Sequence, residues 1–268
     1  MITKNFKENR IDHRHNFLLF CDTETANCFQ EWNEEKGKME NNMKNALAYD
    51  LGGMVVDTKG RIYEKFSIVN SDIFFGQPDL MESAYYAKKL PQYHAGIENG
   101  SRTVMNFWEM RAYINELFEA YNIKIVCAHN ARFDKNTLDV TARFCSRSMV
   151  RYFFPYGTEW WDTLKMARSV MHKMPTYRKF CEANNYITKN GQLSATAENL
   201  YRFITKDNNF VENHTGLEDV EIEVEIFKYC ARQHKAMKRN LYNDSRPLVE
   251  NTNFQIELMR NLKIFPTL

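Results

Sequence analysis

Two acids follow directly on a short apolar run near the beginning of the chain. Residues 17–21 are apolar and lead into the consecutive residues Asp22, Thr23, Glu24 and Thr25. If the strand that this run predicts continues so far, Asp22 and Glu24 point to the same face of the sheet. Like charges on one buried face repel each other and resist leaving water, so we expect a cation to neutralise them. Alone, an Asp-x-Glu triplet is equally consistent with a turn at the end of a strand.

Two further element boundaries carry polar side chains. The apolar run that ends at Ala128 is followed by His129 and Asn130, and Asp134 comes at the start of the next predicted helix. Each such residue alone is more often a helix cap, a loop residue or an acid favoured by the helix dipole.

The third boundary is the stretch HTGLED, in which His214 precedes a long predicted helix and Asp219 lies inside it. The three boundaries together supply four carboxylates and one histidine. Hard oxygen ligands without cysteine suit Mg²⁺ or Mn²⁺ better than structural zinc. Four acids can hold two such ions, which can bridge the oxygens of a phosphoryl displacement. A histidine with a near-neutral pKa can take a proton from the attacking water.

The strands that must position these residues are predicted from apolar runs. Residues 16–24 and 123–130 indicate buried strands. Residues 46–70 indicate a β-hairpin around the turn Asp57-Thr58-Lys59-Gly60, so that the first three strands form an antiparallel meander. A strand, a helix and a strand follow one another further along the chain, which predicts a parallel crossover. Because ligand sites of open α/β sheets lie at the carboxyl ends of strands, the acids of both buried strands are expected to converge.

The rest of the chain is predicted to be mainly helical, apart from a long loop at 27–45, for which a partly helical segment is the alternative. Asp162, Thr176 and Ser194 are predicted N-caps, and Pro91 is expected to end the first helix. Helical patterns cover residues 79–90, 104–121, 131–145, 162–173, 176–185, 194–204 and 216–241.

Composition restricts the class of protein. The 268 residues suit one large domain, or one domain with a sizeable appendage, and 44% hydrophobic residues allow a full core. The net charge of +2 means that any site for a polyanion is a local patch. The six cysteines form no CxxC pair, which argues against a zinc knuckle. Without a signal sequence or membrane-length apolar run, we expect a soluble, cytoplasmic protein without membrane contact, in the host cytoplasm if it is viral.

The motifs FCDTETA, HNARFD and HTGLED together resemble those of the DEDDh 3′–5′ exonucleases, the DnaQ-like family. The family letters match Asp22, Glu24, Asp134 and Asp219, and His214 stands five residues before the last acid, as in the family. The resemblance covers about residues 15–235. It implies an α/β, RNase H-like fold with a central mixed five-stranded sheet flanked by helices.

The resemblance also implies roles for these residues. Asp22 bridges two Mg²⁺ or Mn²⁺ ions, and Glu24 and Asp219 hold the ion that activates water. Asp134 holds the other ion directly or through water, and His214 is the general base. The implied reaction removes 5′-mononucleotides one at a time from a 3′ end.

Four neighbouring residues are candidates for substrate binding. Thr23 and Thr25 are expected near the terminal sugar and phosphate. Asn130 and Phe133 are expected to hold or stack the last nucleotides, although a core position explains Phe133 at least as well. Basic residues follow the second motif, where a solvated face is the default interpretation: Arg132, Lys135, Arg143, Arg147 and Arg151.

Substrate and partners remain open in the sequence. Single-stranded DNA is the favoured substrate, and RNA with the same site is the first alternative, because the motifs do not read the 2′-hydroxyl. A non-catalytic nucleic-acid-binding relative is the second. We expect an exonuclease domain at 1–240 and a packed or partner-binding tail at 241–268. The tail's QIELM, at 255–259, loosely resembles a sliding-clamp-binding peptide, so a clamp or polymerase is a possible partner.

Overall fold

The computed structural model describes residues 11–242, and its centre is a mixed six-stranded sheet in the order β6-β5-β4-β1-β7-β8. The remaining two strands, β2 and β3, pair only with each other. The eight strands are β1 (Phe17–Ala26), β2 (Gln30–Asn33), β3 (Lys38–Asn41), β4 (Leu47–Asp57), β5 (Ile62–Asn70), β6 (Thr103–Met105), β7 (Ile125–Ala128) and β8 (Glu159–Asp162).

The sheet confirms the predicted α/β architecture and adds one strand to it. β4 runs antiparallel to both β1 and β5, which is the predicted meander, and β7 runs parallel to β1 and β8. The sequence predicted five strands instead of six because both outer strands, β6 and β8, are short. Three and four residues are too few to show an alternation of apolar and polar side chains.

Nine helices lie within the described range. They are α1 (Ser71–Phe74), α2 (Pro78–Met81), α3 (Leu90–Glu98), α4 (Phe107–Tyr121), α5 (Arg132–Cys145), α6 (Thr163–Val170), α7 (Pro175–Ala183), α8 (Ala197–Thr205) and α9 (Gly216–Arg232). Single 3₁₀ turns occupy Ala87–Lys89 and Met171–Lys173. None of the helices described is long and apolar enough to cross a membrane.

Alternation along β1 divides the core into two layers. Phe17, Leu19 and Cys21 pack with α4 and α5 on one face of the sheet, and Leu18 and Phe20 pack with α6 to α9 on the other. Burial of each large apolar side chain stabilises the fold by about 2 kcal/mol. Continued alternation places Asp22 and Glu24 on the α9 face and Thr23 on the α5 face.

A third and smaller core lies beyond the end of β1. Ala26, Tyr49 and Tyr93 pack there with residues of α1 and with Met81 at the end of α2. Parts of the segment 72–102 therefore fold against the end of the strand that carries the first motif.

Several predicted boundaries are wrong. The helix expected at 79–90 is broken into α2 and a 3₁₀ turn, and Pro91 lies in the first turn of α3, where its missing N–H costs nothing. The long helix ends at Arg232, short of the predicted 241. The loop predicted at 27–45 contains the β2–β3 hairpin, whose four-residue strands are polar enough to read as a loop.

Of the three predicted N-caps, one is confirmed. The Asp162 side chain accepts a hydrogen bond from the Leu164 N–H at the start of α6. Thr176 lies inside α7, because Pro175 occupies its first turn. Thr196, two residues after Ser194, is the residue that caps α8.

The predicted domain boundary at 240 falls almost at the end of the described range. Asn240 forms a bridge with Trp161 of β8, and Leu241 donates its N–H to the Trp160 carbonyl. The predicted tail from 243 onward, with the QIELM stretch, lies outside the described residues.

Candidate active site

The first two acids lie near the carboxyl end of β1, on the face covered by α9. In the pairing with β4, Asp22 stands opposite Gly52 and Glu24 opposite Asp50. Asp22 is half-buried, and Glu24 is 6% exposed. Ligand oxygens of Asp22, Glu24 and Asp219 all lie within 4.8 Å of one another. The strand and the helix thus bring three of the four predicted acids into one cluster.

Asp134 reaches the same region from α5, where it lies in the first turn and is 1% exposed. Its Oδ1 accepts hydrogen bonds from the Thr23 N–H (3.2 Å) and from the Thr23 hydroxyl (2.9 Å). Thr23 stands between Asp22 and Glu24 but points to the α5 face. The residue between the two acids of the first motif therefore fixes the acid of the second.

His214 lies just before α9 with a left-handed backbone (φ 51°), and its side chain remains 34% exposed. The Thr215 carbonyl accepts the Asp219 N–H, which begins the helix at this point. The imidazole stacks on the Tyr86 ring, with centroids 4.3 Å apart and planes 7° apart. Its Nδ1 lies 4.0 Å from an oxygen of Glu212. Glu212, His214 and Asp219 form a second group of ligand atoms within 4.8 Å of one another.

The site carries an excess of buried negative charge. Burial first, and repulsion by neighbouring acids second, raise the pKa of Glu24 to about 10 and that of Asp219 to about 8. Burial also raises the pKa of Asp134 to about 7, against the opposing effect of the Thr23 hydrogen bonds. The pKa of Asp22 is raised well above its usual range by burial and by the charge of Asp134. A divalent cation among these oxygens would reverse all four shifts.

The donor set fits such a cation. Oxygen atoms of carboxylates make up the Asp22–Glu24–Asp219 cluster, as hard divalent ions prefer. Within the described part of the chain, Oδ1 of Asp219 is buried and has no hydrogen-bond partner. A buried carboxylate oxygen without a partner is costly, and a metal ion supplies the missing interaction.

Glu223 is a buried acid of this region that the sequence analysis missed. It is 2% exposed on α9, one turn after Asp219, and Oε1 accepts the His129 N–H at 2.8 Å. Its Oε2 has no hydrogen-bond partner among the described residues. Burial and the charge of Asp134 raise its pKa well above the usual range. The four-residue spacing from Asp219 was the available signal, but acids at neighbouring helix positions obscured it.

A second missed group fixes the start of α9. Asp50 is fully buried, and its Oδ2 accepts hydrogen bonds from the Tyr93 hydroxyl (2.6 Å) and the Gly216 N–H (2.9 Å). The Arg102 guanidinium lies 3.5 Å from the same oxygen and 3.3 Å from Glu218. This network ties the first turn of α9 to β4. It was not predictable from any sequence motif, because its members are far apart in the chain.

The remaining predicted site residues have different environments. Thr25 is 2% exposed, and its hydroxyl lies 3.3 Å from the Cys28 sulfur. Asn130 is exposed and adopts a left-handed backbone (φ 66°), with its N–H donated to Asp162. Phe133 is half-buried beside Asp134. Asn130 and Phe133 thus remain open to a ligand, whereas the hydroxyls of Thr23 and Thr25 have partners inside the protein. All four substrate contacts stay predictions.

Of the basic residues after the second motif, some have partners inside the protein and others are exposed. Lys135 pairs with Asp139 at 2.7 Å, and Arg143 donates to the Arg151 carbonyl. Arg132 and Arg147 are exposed.

Comparison with known proteins supports the architecture. No protein-family model and no curated protein matches the chain. Among solved structures, it is similar to a 3′-exonuclease whose structure describes 3′-end-specific recognition of a histone mRNA stem-loop. The TM-score is 0.55 at 12% identity, over 90% of this chain and 75% of that one. This similarity confirms the predicted exonuclease fold.

Two complexes of E. coli exonuclease I are also similar. One holds a 5cy-dT13 oligonucleotide (TM-score 0.46, 16% identity, 82% of this chain and 41% of that one). The other is the zinc-bound form with single-stranded DNA (TM-score 0.45, 15% identity, 92% and 45%). The chain spans less than half the length of exonuclease I.

Proposed function

We propose that this protein is a two-metal 3′–5′ exonuclease that hydrolyses single-stranded DNA ends to 5′-mononucleotides. The observation that carries the proposal is the meeting of Asp22, Glu24 and Asp219 within 4.8 Å at the end of a buried strand. A half-exposed histidine, His214, stands at the head of the helix that supplies Asp219. This is the combination that metal-assisted phosphodiester hydrolysis needs.

Mg²⁺ or Mn²⁺ ions, two per site, would be held by the four acids Asp22, Glu24, Asp134 and Asp219. When bound, such ions stabilise the charge that develops on the attacking and leaving oxygens. Asp22 is the acid common to both ions in this proposal. The hydrogen bonds from Thr23 hold Asp134 in one orientation, so that its second oxygen is left for the ion or for a water molecule.

His214 is the proposed general base. Burial lowers the pKa of its imidazole below the usual range, as do the nearby Lys89 and Lys88, against a raising effect of Glu198. The neutral imidazole is the form that accepts a proton, so a lowered pKa keeps the base ready at neutral pH. The Tyr86 ring limits rotation of the imidazole.

The shared fold of a 3′-exonuclease supports nuclease chemistry, and that enzyme recognises the 3′ end of a histone mRNA stem-loop. RNA therefore remains the first alternative substrate. The decisive experiment compares digestion of 5′-labelled single-stranded DNA, duplex DNA and RNA of one sequence, with Mg²⁺, with Mn²⁺ and with EDTA. We expect a ladder of products shortened from the 3′ end of single-stranded DNA, in either metal and not in EDTA.

Each other outcome of this panel has a separate meaning. Faster loss of RNA would replace DNA as the substrate and leave the chemistry intact. Absence of digestion in both metals would favour the second alternative, a nucleic-acid-binding relative without activity. Products with 3′-phosphates would contradict the proposed release of 5′-mononucleotides. A cytoplasmic location and a clamp or polymerase partner remain predictions that this panel does not address.

A further inference from the structure

A short segment from outside the three motifs forms one side of the site. Tyr86 stacks almost parallel on the His214 imidazole. The pKa of its hydroxyl is raised by burial first and then by the charge of Glu24, with smaller effects of Glu212 and Asp219. The Tyr86 ring thus lies against the proposed base, whose ring nitrogen is within 4.8 Å of a carboxylate oxygen of Asp219.

The segment is firmly attached to the strand that carries Asp22 and Glu24. The Tyr85 N–H is donated to the Thr25 carbonyl at 3.0 Å, one residue beyond Glu24. The Ser83 hydroxyl accepts the Cys28 N–H at 3.2 Å, and Ala84 is buried in the third core. These contacts hold residues 83–86 against the end of β1 as a fixed side of the site.

Two lysines follow in the 3₁₀ turn Ala87–Lys89. Lys88 is exposed and Lys89 is half-buried, and they follow Tyr86, whose ring stacks on His214, by two and three residues. The charges of both lysines also lower the pKa of His214. Neither ammonium has an acid within ion-pair distance in the described range 11–242. Two cations without an ion-pair partner among the described residues thus follow directly on the ring that stacks on His214, at a site whose acids would otherwise repel a polyanion.

We propose that Lys88 and Lys89 bind phosphate groups of the substrate strand beside His214, and that Tyr86 holds the imidazole in place between these lysines and the acids. The proposal rests on the proposed nuclease function and specifies how a nucleic acid enters that site. An ammonium is a compact charge that binds phosphate without reading base sequence. Tyr85, 50% exposed and in edge contact with Tyr86, offers a face for base stacking next to the lysines.

The test of the lysines is an equilibrium binding experiment on the full chain. The double variant Lys88→Gln/Lys89→Gln is compared with Lys59→Gln/Lys124→Gln, which removes the same charge at the far end of the sheet. Lys59 is an exposed residue of the β4–β5 turn, and Lys124 is exposed just before β7 begins. Anisotropy of a 5′-labelled single-stranded oligonucleotide is measured with Ca²⁺ in place of Mg²⁺ over a range of salt concentrations, with a gel check that the strand is intact.

We expect the Lys88→Gln/Lys89→Gln variant to bind roughly tenfold more weakly at low salt. The slope of log K against log salt should fall by about 0.7 for each lost phosphate contact, so by about 1.4 in total. The control pair should keep the wild-type affinity and slope. An affinity and slope equal to those of the control would overturn the phosphate contacts.

The role of Tyr86 is tested by measuring kcat and the oligonucleotide Kd of the same variants. Tyr86→Phe retains the stack and should retain kcat, whereas Tyr86→Leu keeps bulk without a ring and should lower kcat at least about tenfold, with little change in oligonucleotide Kd. Unchanged kcat in a folded Tyr86→Leu variant would remove Tyr86 from the positioning role.

Digestion by the wild-type protein distinguishes failure of the phosphate site from failure of the nuclease function. If wild type digests nothing yet the lysine variant loses affinity, the phosphate site stands and the nuclease function fails.

Discussion

At the residue scale, the site works through charges that the fold leaves uncompensated. Asp22, Glu24, Asp134 and Asp219 are held in fixed positions by a strand and two helices. Without a cation, each destabilises the ionised form of its neighbours. The same repulsion that weakens the metal-free protein makes the proposed metal binding strong.

Replacement of the central acid should therefore affect activity and stability in opposite directions. We expect Asp22→Asn to lower turnover with Mg²⁺ more than about a hundredfold, because an amide oxygen would be a poor substitute for a carboxylate in the proposed metal site. The melting temperature of the metal-free variant should rise above that of wild type, because one buried charge is gone. Calorimetry in EDTA and a digestion assay give the two quantities. Glu221→Gln, an exposed acid of α9, is the matched control and should change neither.

His214 should contribute to turnover and not to metal binding. We expect His214→Ala to lower kcat by about 10²–10⁴, the range of general acid–base catalysis, while Mn²⁺ affinity measured by titration calorimetry stays close to wild type. Wild-type activity should also fall as the pH drops through the imidazole pKa, because the protonated ring cannot accept a proton. That acidic limb should be missing in the variant. A variant with an unchanged acidic limb would exclude His214 as the base.

Individual residues were predicted from sequence to the extent that their motif is local. Two pairs of residues could be recognised from sequence because each pair stands within one short motif. They are Asp22 with Glu24 and His214 with Asp219. Thr23 stays a predicted substrate contact, and the bond of its hydroxyl to Asp134 was not foreseen, since period-two alternation turns it to the opposite face. Glu223 could be recognised only once the helix that presents it was known.

At the element scale, the position of α9 relative to β4 determines whether the acids meet. Gly52 and Gly216 face each other where the helix begins, and a Cβ on Gly216 would lie 2.7 Å from the Gly52 nitrogen. A Cβ on Gly52 would meet the backbone of Gly216 and Leu217. The glycine of the HTGLED motif is explained by this close approach of two backbones. Its partner on β4 was not predictable, because the contact joins residues 164 positions apart in the sequence.

We expect Gly52→Ala to displace the first turn of α9 and with it Asp219 and His214. The variant should lose roughly 1–3 kcal/mol of unfolding free energy, the usual cost of overpacking, and most of its turnover. Gly53→Ala is the control, because the three atoms nearest to its Cβ all belong to the Phe66 ring and none to α9. It should lose stability but retain kcat per folded molecule. Denaturant unfolding and single-turnover digestion measure the two effects, and equal kcat in both variants would contradict the proposed role of this contact.

At the scale of the whole molecule, the buried acids couple stability to pH and to metal. The folded metal-free protein holds protons on Asp134 and Asp219, whose pKa values are about 7 and about 8, while an unfolded chain releases them near pH 4. The folded state thus binds more protons over this interval, and the free energy of unfolding must fall as the pH rises through it. Metal ions at the proposed site would compete with these protons, so metal affinity should rise over the same interval.

The melting temperature in EDTA should therefore fall between about pH 5 and pH 8. A single pKa unit corresponds to about 1.4 kcal/mol, or about 3–6 °C for a chain of this size, so a fall of at least about 3 °C is expected. Saturating Mn²⁺ should abolish or reverse the fall, because the ionised carboxylates then bind the ion. Asp22→Asn should flatten the EDTA curve, since the variant lacks one of the buried acids whose pKa is raised in the folded state. A metal-free melting temperature that stays constant or rises over this interval would contradict the buried acidic cluster, whatever the substrate of the protein proves to be.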